Sequence, residues 1–331
     1  MRYSERITQL KIFTKQPHLR NDMKNIWLAL ACIIFSVNAN ASEKLRIGVL
    51  LIEDSVPIYV AEQKKYFIKE GIEVEIVPFL SALERDSAIA AGAIDGAVSD
   101  PVGAILFDKG RGIIKITSLC LGQTPAEGVF TILSAPESKI RAVEDLKNVP
   151  IAVSNATIIE YVTERLLKQQ GLKLDQISTI EVKKMPIRMQ MLLSNAIKAA
   201  TLPEPLASIA AAKGARVIIS DSESKESLSQ TVIIFRKDVL RNRKDDVYSF
   251  FRALGSAIQA INNKPDSYRP LFIEKGRIPP FLADKYIIPK FPSPKPFSKE
   301  LFTPVMEWLS TKKLVPSLSY NSMVSTEFQT E

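Results

Sequence analysis

Two acidic residues, Asp100 and Glu204, close near-copies of one phrase: Ala93-Ile-Asp-Gly-Ala-Val-Ser-Asp-Pro101 and Ala196-Ile-Lys-Ala-Ala-Thr-Leu-Pro-Glu-Pro205. Each copy follows a helical stretch, runs through small and apolar residues of β type, and stops at an acid followed by proline. Two carboxylates facing one cleft would receive an amine, an amidine-like pyrimidine or hydroxyl groups, and would repel each other without such donors. Alternatively, each acid favours the start of its own helix through the helix dipole. Neither has an identifiable nucleophile or metal ligand beside it, so the pair is poorly equipped for general acid–base work. A second chemistry lies at Ser154-Asn-Ala-Thr157, where a helix start would direct unpaired N–H groups at a carboxylate, sulfonate or phosphate. The competing role of Ser154 or Asn155 is to cap that helix. Tyr59 supplies either a stacking face or packing, and Arg188 either a local salt bridge or an anion site.

Composition narrows the chemistry further. The chain has 331 residues, 46% hydrophobic and 24% charged, which suits a globular protein with one large or two medium domains rather than a disordered one. Lys24, the apolar run Ile26–Phe35 and the Ala39-Asn-Ala41 site together form a secretory signal peptide over residues 1–41, cleaved after Ala41. About ten apolar residues are too few for a membrane span, which needs about 20. Met23 opens a leader of ordinary length, so Met1–Asp22 reads as an upstream extension. Lipidation at Cys32 would want a Leu-type residue three positions earlier, where Ala29 stands. Loss of the leader lowers the formal charge from +8 to +4 and removes His18 and Cys32. The remainder has one cysteine, Cys120, and no histidine, which excludes an internal disulfide, a His/Cys zinc site and a His-dependent dyad. Its Lys and Arg are scattered without an aromatic stripe, so nucleic acid is not expected as a partner.

The elements that must position these residues alternate as β-α-β-α-β. Leu45–Ile52 reads as a strand, Pro57 to Gly71 as a helix, Ile72–Val77 as a half-exposed strand, and Ser81-Ala-Leu-Glu84 as a capping box opening the next helix. A mainly parallel sheet with right-handed crossovers follows. A second α/β unit starts near Ser134, with a short helix over Ile140–Lys147, a strand over Pro150–Ser154 and a helix ending at Gly171. Val129–Leu133 and Thr231–Phe235 resemble each other and are expected to pair as hinge strands. Asp245–Asn262 carries an apolar helical stripe, the prolines from Pro279 to Pro296 mark an extended strap, and a last amphipathic helix around Val305–Leu309 is expected to dock on the first lobe. Four loops then fall at carboxyl ends of strands, where α/β sheets collect ligands: Glu53–Pro57, Ser99–Asp100, Ser154–Thr157 and Leu202–Pro205.

Pro57-Ile-Tyr-Val-Ala-Glu-Gln-Lys-Lys-Tyr-Phe-Ile-Lys-Glu-Gly71 resembles the P-x-Y-V-A-x-x-K-G-Y-F-x-x-E-G opening of substrate-binding proteins of nitrate/sulfonate/taurine-type ABC importers, a group that includes pyrimidine-precursor binders and the thiamine-pyrimidine synthase domain. Ala90–Ala97, Asp145–Lys147 with Ile151–Ser154, and Leu202–Pro205 match further family passages in order and spacing. Lys65 and Lys198 depart from the usual Gly and Asp. The resemblance implies an α/β, type II periplasmic-binding fold: residues 42–131 with 234–331 as lobe 1, 132–233 as lobe 2, two hinge strands, and an interlobe cleft. It implies a periplasmic, monomeric protein, not an enzyme, that uses no cofactor or metal and hands a small polar organic ligand to an ABC permease in the inner membrane. Ser55, Tyr59, Ser99, Asp100, Ser154, Asn155, Thr157 and Glu204 are expected to line the cleft. The alternatives are an enzyme on the same fold, of pyrimidine-synthase or chorismate-dehydratase type, and a secreted sensor without a permease.

Overall fold

Leu45, Ile47 and Val49 are fully buried in β1 (Leu45–Leu50), while Arg46 between them reaches the rim, so this strand lies inside a sheet covered on both faces. The computed structural model describes residues 43–328, and the expected leader at 1–41 lies outside them. The first sheet takes β2 (Val74–Phe79), β3 (Gly96–Ser99), β4 (Ile114–Leu121) and the late strand β10 (Thr231–Arg236), in the order β2-β1-β3-β10-β4. The second takes β5 (Phe130–Ser134), β6 (Pro150–Val153), β7 (Ser178–Glu181), β8 (Ala199–Pro203) and β9 (Arg216–Ser220), in the order β7-β6-β8-β5-β9. The two orders are the same arrangement, and the duplicated phrases are the equivalent strands β3 and β8.

Each sheet is mainly parallel, with four strands in one direction, and is made mixed by a single strand running against them. β1 runs parallel to β2 and β3, but β10 is antiparallel to β3 and β4; β5 is likewise antiparallel to β8 and β9. The similar segments at 130–134 and 231–236 therefore do not pair with each other. Each fills the same slot in its own sheet, and the chain crosses between sheets just ahead of them, over residues 122–129 and 221–230. The crossings touch: Ser227 Oγ donates to Gly122 O (2.7 Å), and Phe130 N donates to Asp221 Oδ1 (2.9 Å). A Cβ on Gly128 would lie 2.4 Å from Asp221 Oδ1, so glycine is what lets the two crossings approach.

The helices of seven or more residues are α1 (Val56–Gln63), α2 (Ala82–Ala90), α3 (Pro101–Asp108), α4 (Ile158–Gln169), α5 (Met185–Leu193), α6 (Leu206–Ala212), α7 (Lys244–Asn263), α8 (Arg269–Lys275) and α9 (Lys299–Thr311). Ser81 caps α2, accepting from Glu84 N at 3.2 Å, while the Glu84 carboxylate reaches back one residue further than a capping box, to Leu80 N at 3.1 Å. The single helix expected from Pro57 to Gly71 is broken at Lys65, whose φ of +58° is left-handed and would suit the glycine of the family passage this stretch resembles. Only a 3-10 turn, Val143–Leu146, forms where a helix over Ile140–Lys147 was expected. The proline-rich strap is pinned in place. Asn262 exchanges two hydrogen bonds with the Phe291 backbone, and Leu119 N donates to Lys295 O.

The core is divided unevenly. One cluster packs α1 and α7 on one face of the first sheet, and another packs α5 and α6 on one face of the second. A third runs through both: Val102, Ile105 and Ile234 of the first share it with Ile132, Ile151 and Val162 of the second, together with Phe302, Val305 and Leu309 of α9. The final long helix therefore bridges the two sheets instead of docking on the first alone, because its apolar stripe is wide enough to meet α3 while Trp308 reaches α4.

Candidate functional site

The carboxyl ends of β1 and β8 bring Glu53 and Glu204 within electrostatic reach. Burial pushes the Glu53 carboxyl well above its usual range, and the charges of Asp54 and then Glu204 push the same way. Asp54, only 4% exposed, rises from 3.8 to about 6, chiefly through burial, and the charge of Glu127 pushes the same way. Glu204 is also raised by burial, relieved by Ser208, whose N–H donates to its Oε2 at 3.3 Å. These acids come from both sheets, and the charges acting on Glu53 and Asp54 are those of other acids. Such a set is uncomfortable unless protonated or met by donors.

Of the residues expected at the cleft, Asp100 is a helix cap: its Oδ1 accepts from Gly103 N at 2.7 Å at the start of α3. Burial raises its pKa, and the Gly103 bond and Arg85 lower it. Ser99 is buried and its hydroxyl turns to the Asp100 carbonyl (3.4 Å). Ser55 ends the short turn Glu53–Ser55 after β1; it is fully buried and its Oγ has no partner. Tyr59, in α1, is half-buried beneath Lys275, whose Nζ lies 5.1 Å from the ring centre, so its ring is spent on α8. Asn155 is exposed.

The loop after β6 is mostly occupied by its own chain. Thr157, not Ser154 or Asn155, caps α4, accepting from Ile159 N at 3.2 Å while donating to Ser154 O at 2.7 Å. Ala156 N is taken by Glu160 Oε2 at 2.6 Å. Ser154 Oγ accepts from Arg188 Nη2 (2.5 Å) and donates to Lys183 O (3.2 Å). Among the described residues Arg188 has no salt-bridge partner. It is fully buried, donates also to Val182 O and Thr201 O, and burial lowers its pKa to about 10. Two N–H groups and the guanidinium that an anion would need are thus engaged, and Glu160 adds a negative charge at that helix start.

Glu53 and Asp54 stand in a strand-end loop visible in the sequence, although the approach of Glu204 to Glu53 was not. Glu127 carried no local signal: it accepts from Gly122 N and Gln123 N within a crossing. Cys120 is buried, its thiol donates to Asp54 O at 3.3 Å, and burial pushes its pKa up. Among the described residues no group of three or more His, Cys, Asp or Glu is placed to hold a metal. A depression of about 420 Å³ bordered by Ala135, Ile140, Asn195 and Lys198 lies at the opposite end of the second sheet from these acids. No described helix is long and apolar enough to cross a membrane.

Solved structures with this architecture include the alkanesulfonate-binding protein SsuA from Xanthomonas axonopodis pv. citri bound to MOPS. It is 17% identical, with TM-score 0.69, over 85% of this chain and 97% of that one. The periplasmic aliphatic sulphonate binding protein SsuA from Escherichia coli is 18% identical, with TM-score 0.70, over 83% and 94%. The desulfurization enzyme DSZB is 14% identical, with TM-score 0.63, over 86% and 97%. The shared fold is the type II periplasmic-binding fold, two α/β lobes joined by two crossings. No curated protein sequence matches the chain. The family described as NMT1/THI5 like matches residues 53–268, more than half of the sequence, and the chain belongs to that family.

Proposed function

We propose that this protein is the extracytoplasmic solute-binding component of an ABC importer, closing two lobes on a small polar organic ligand and delivering it to a permease. The observation that carries this reading is the placement of acids at the carboxyl ends of strands in two equivalent sheets, Glu53 after β1 and Glu204 after β8, near enough for the charge of Glu204 to act on Glu53. The lobes are residues 42–131 with 234–331 and residues 132–233. A leader over residues 1–41 would take a monomer to the periplasm. The mechanism is differential affinity of the ligand for the closed state, with no covalent chemistry.

The ligand proposed is donor-bearing: an amine or amidine-like pyrimidine that answers Glu53, Asp54 and Glu204. A sulfonate, as in the protein bound to MOPS, would need free cations, whereas Arg188 is committed to Ser154, Val182 and Thr201. DSZB is evidence that the fold also hosts an enzyme. Supporting binding here instead is the lack of a nucleophile–base pair beside these acids: the buried Cys120 thiol faces a backbone carbonyl, and residues 42–331 contain no histidine.

Thermal-shift measurements on residues 42–331 against polyamines, pyrimidines, sulfonates and carboxylates test both points. A ligand at 100 times its Kd stabilises by about 2.7 kcal/mol. Amines or pyrimidines are expected to shift the transition and be recovered unchanged. Product formation from a bound compound would overturn the transport reading, and a shift by sulfonates alone would overturn the ligand class.

A further inference from the structure

Helix α9 touches both lobes and its polar end does something its packing does not require. Trp308 lies edge-on to Tyr161 of α4 (ring centres 5.5 Å apart, 75° between planes), and its Nε1 donates to Glu164 Oε2 at 2.8 Å. Lys312, directly after the helix, donates to Glu160 Oε1 at 2.9 Å and to Glu164 Oε1. Glu160 and Glu164 are 8% and 5% exposed and stand one turn apart on α4, where like charges repel. A single ammonium serves both. The other oxygen of Glu160 accepts from Ala156 N at 2.6 Å, and Ala156 is a non-glycine residue held at φ +54°. That conformation is strained for an L-residue and persists only where neighbours impose it.

We infer that α9 is a clamp between the lobes and that Lys312 is its positioning residue, holding the 154–157 loop in shape through Glu160. The inference rests on the reading of that loop as part of the ligand cleft, but the clamp itself is visible without ligand. With Lys312 gone, two buried carboxylates face each other. The cheapest relief is for Glu160 to swing outward, which releases Ala156 N and lets the left-handed turn relax. The covalent crossings at 122–129 and 221–230 link the lobes at one place, and α9 links them at another, so loop geometry and lobe position share one set of contacts.

Hydrogen exchange on the full chain without ligand tests the clamp. In Lys312→Met the amides of residues 154–160 are expected to exchange about three- to tenfold faster, the range of coupling carried by non-contacting residues. The neighbouring Lys313→Met, which removes an equal charge from an exposed position, should leave them unchanged. The double variant Lys312→Met/Glu160→Gln removes the repulsion and keeps an acceptor for Ala156 N, so protection should return. Unchanged exchange at 154–160 in Lys312→Met, uniform acceleration across lobe 2, or no recovery in the double variant would overturn the inference. With putrescine as probe, a Kd weakened about three- to tenfold in Lys312→Met is the expected companion result. Absence of putrescine binding to the unaltered protein would count against the amine-ligand reading alone, since the exchange result stands without it.

Discussion

Arg85 and Arg188 occupy the same place in the two lobes and are satisfied in different ways. Each is almost fully buried, and each sends Nη1 to a backbone carbonyl 13 residues ahead: Val98 in lobe 1 (3.0 Å) and Thr201 in lobe 2 (2.9 Å). The clamp ties the helix before each repeated phrase to the strand that the phrase forms. Arg85 has a carboxylate beside it, with Nε donating to Asp86 Oδ1 at 2.9 Å. Arg188 has carbonyls and the Ser154 hydroxyl only, and its lowered pKa shows the cost of burial without a counter-charge. The duplicated corner therefore keeps its mechanical part in both lobes and varies its electrostatics. Lobe 1 neutralises its cation locally; lobe 2 leaves its own for the loop after β6.

The largest effect should come from breaking the clamps. Arg188→Met would strand the carbonyls of Val182 and Thr201 and cost about 3 kcal/mol. Arg85→Met would strand Val98 O and leave a partly exposed Asp86, costing about 2 kcal/mol. Denaturant unfolding of both variants checks the order, and an Arg85 variant that proved the weaker would break the comparison.

Comparable in size is the acid cluster. A carboxyl whose pKa is higher in the folded state keeps its proton there, so the stability it contributes is full below about pH 4 and is lost as pH rises through the folded value. For Asp54 that window runs from 3.8 to about 6. Asp54→Asn, which keeps the shape, should stabilise the ligand-free protein by about 3 kcal/mol above pH 6 and flatten the profile between pH 4 and 6. Unfolding curves at four pH values decide it. Affinity for an amine ligand should rise over the same window, because binding requires the proton to leave.

The two acid–proline corners separate on a smaller scale. Asp100→Ala removes a cap with a 2.7 Å bond and should cost about 1 kcal/mol, whereas Glu204→Ala loses only a 3.3 Å contact and should cost less. Binding should reverse the order: Glu204→Gln weakens an amine ligand about tenfold, as loss of a charged hydrogen-bond partner does, while Asp100→Asn, still a good cap, does not. Titration calorimetry on the two variants reads this directly. Smallest are the caps themselves. Thr157→Ala should cost about 1 kcal/mol and Ser81→Ala about 0.5 kcal/mol, because Thr157 also fastens Ser154 O and its cap bond is partly buried while that of Ser81 is exposed.

Much of this was legible locally. The Ser81 cap, the apolar stripe of α7, the proline strap and the repeated phrase each depend on neighbours in sequence, and each forms as its residues require. What was not legible depends on distant partners. Val129–Leu133 and Thr231–Phe235 look alike because both occupy a strand buried on two faces, yet likeness does not say which strands flank them. The cap at Thr157 displaced Ser154 and Asn155 because Arg188, far along the chain, claims the Ser154 hydroxyl. Helix α9 shows an amphipathic stripe in sequence, but not that two lobes share it.

The sequence by itself determined the α/β alternation, the starts at Ser81 and Pro101 and the two acid–proline corners, since propensity, capping and periodicity act over a few residues. Only the tertiary structure decided that β5 and β10 lie antiparallel in matching slots, that Arg188 is spent on carbonyls, and that Glu204 approaches Glu53. Those outcomes come from burial and Coulomb interaction between groups brought together by folding, and no spacing along the chain encodes them.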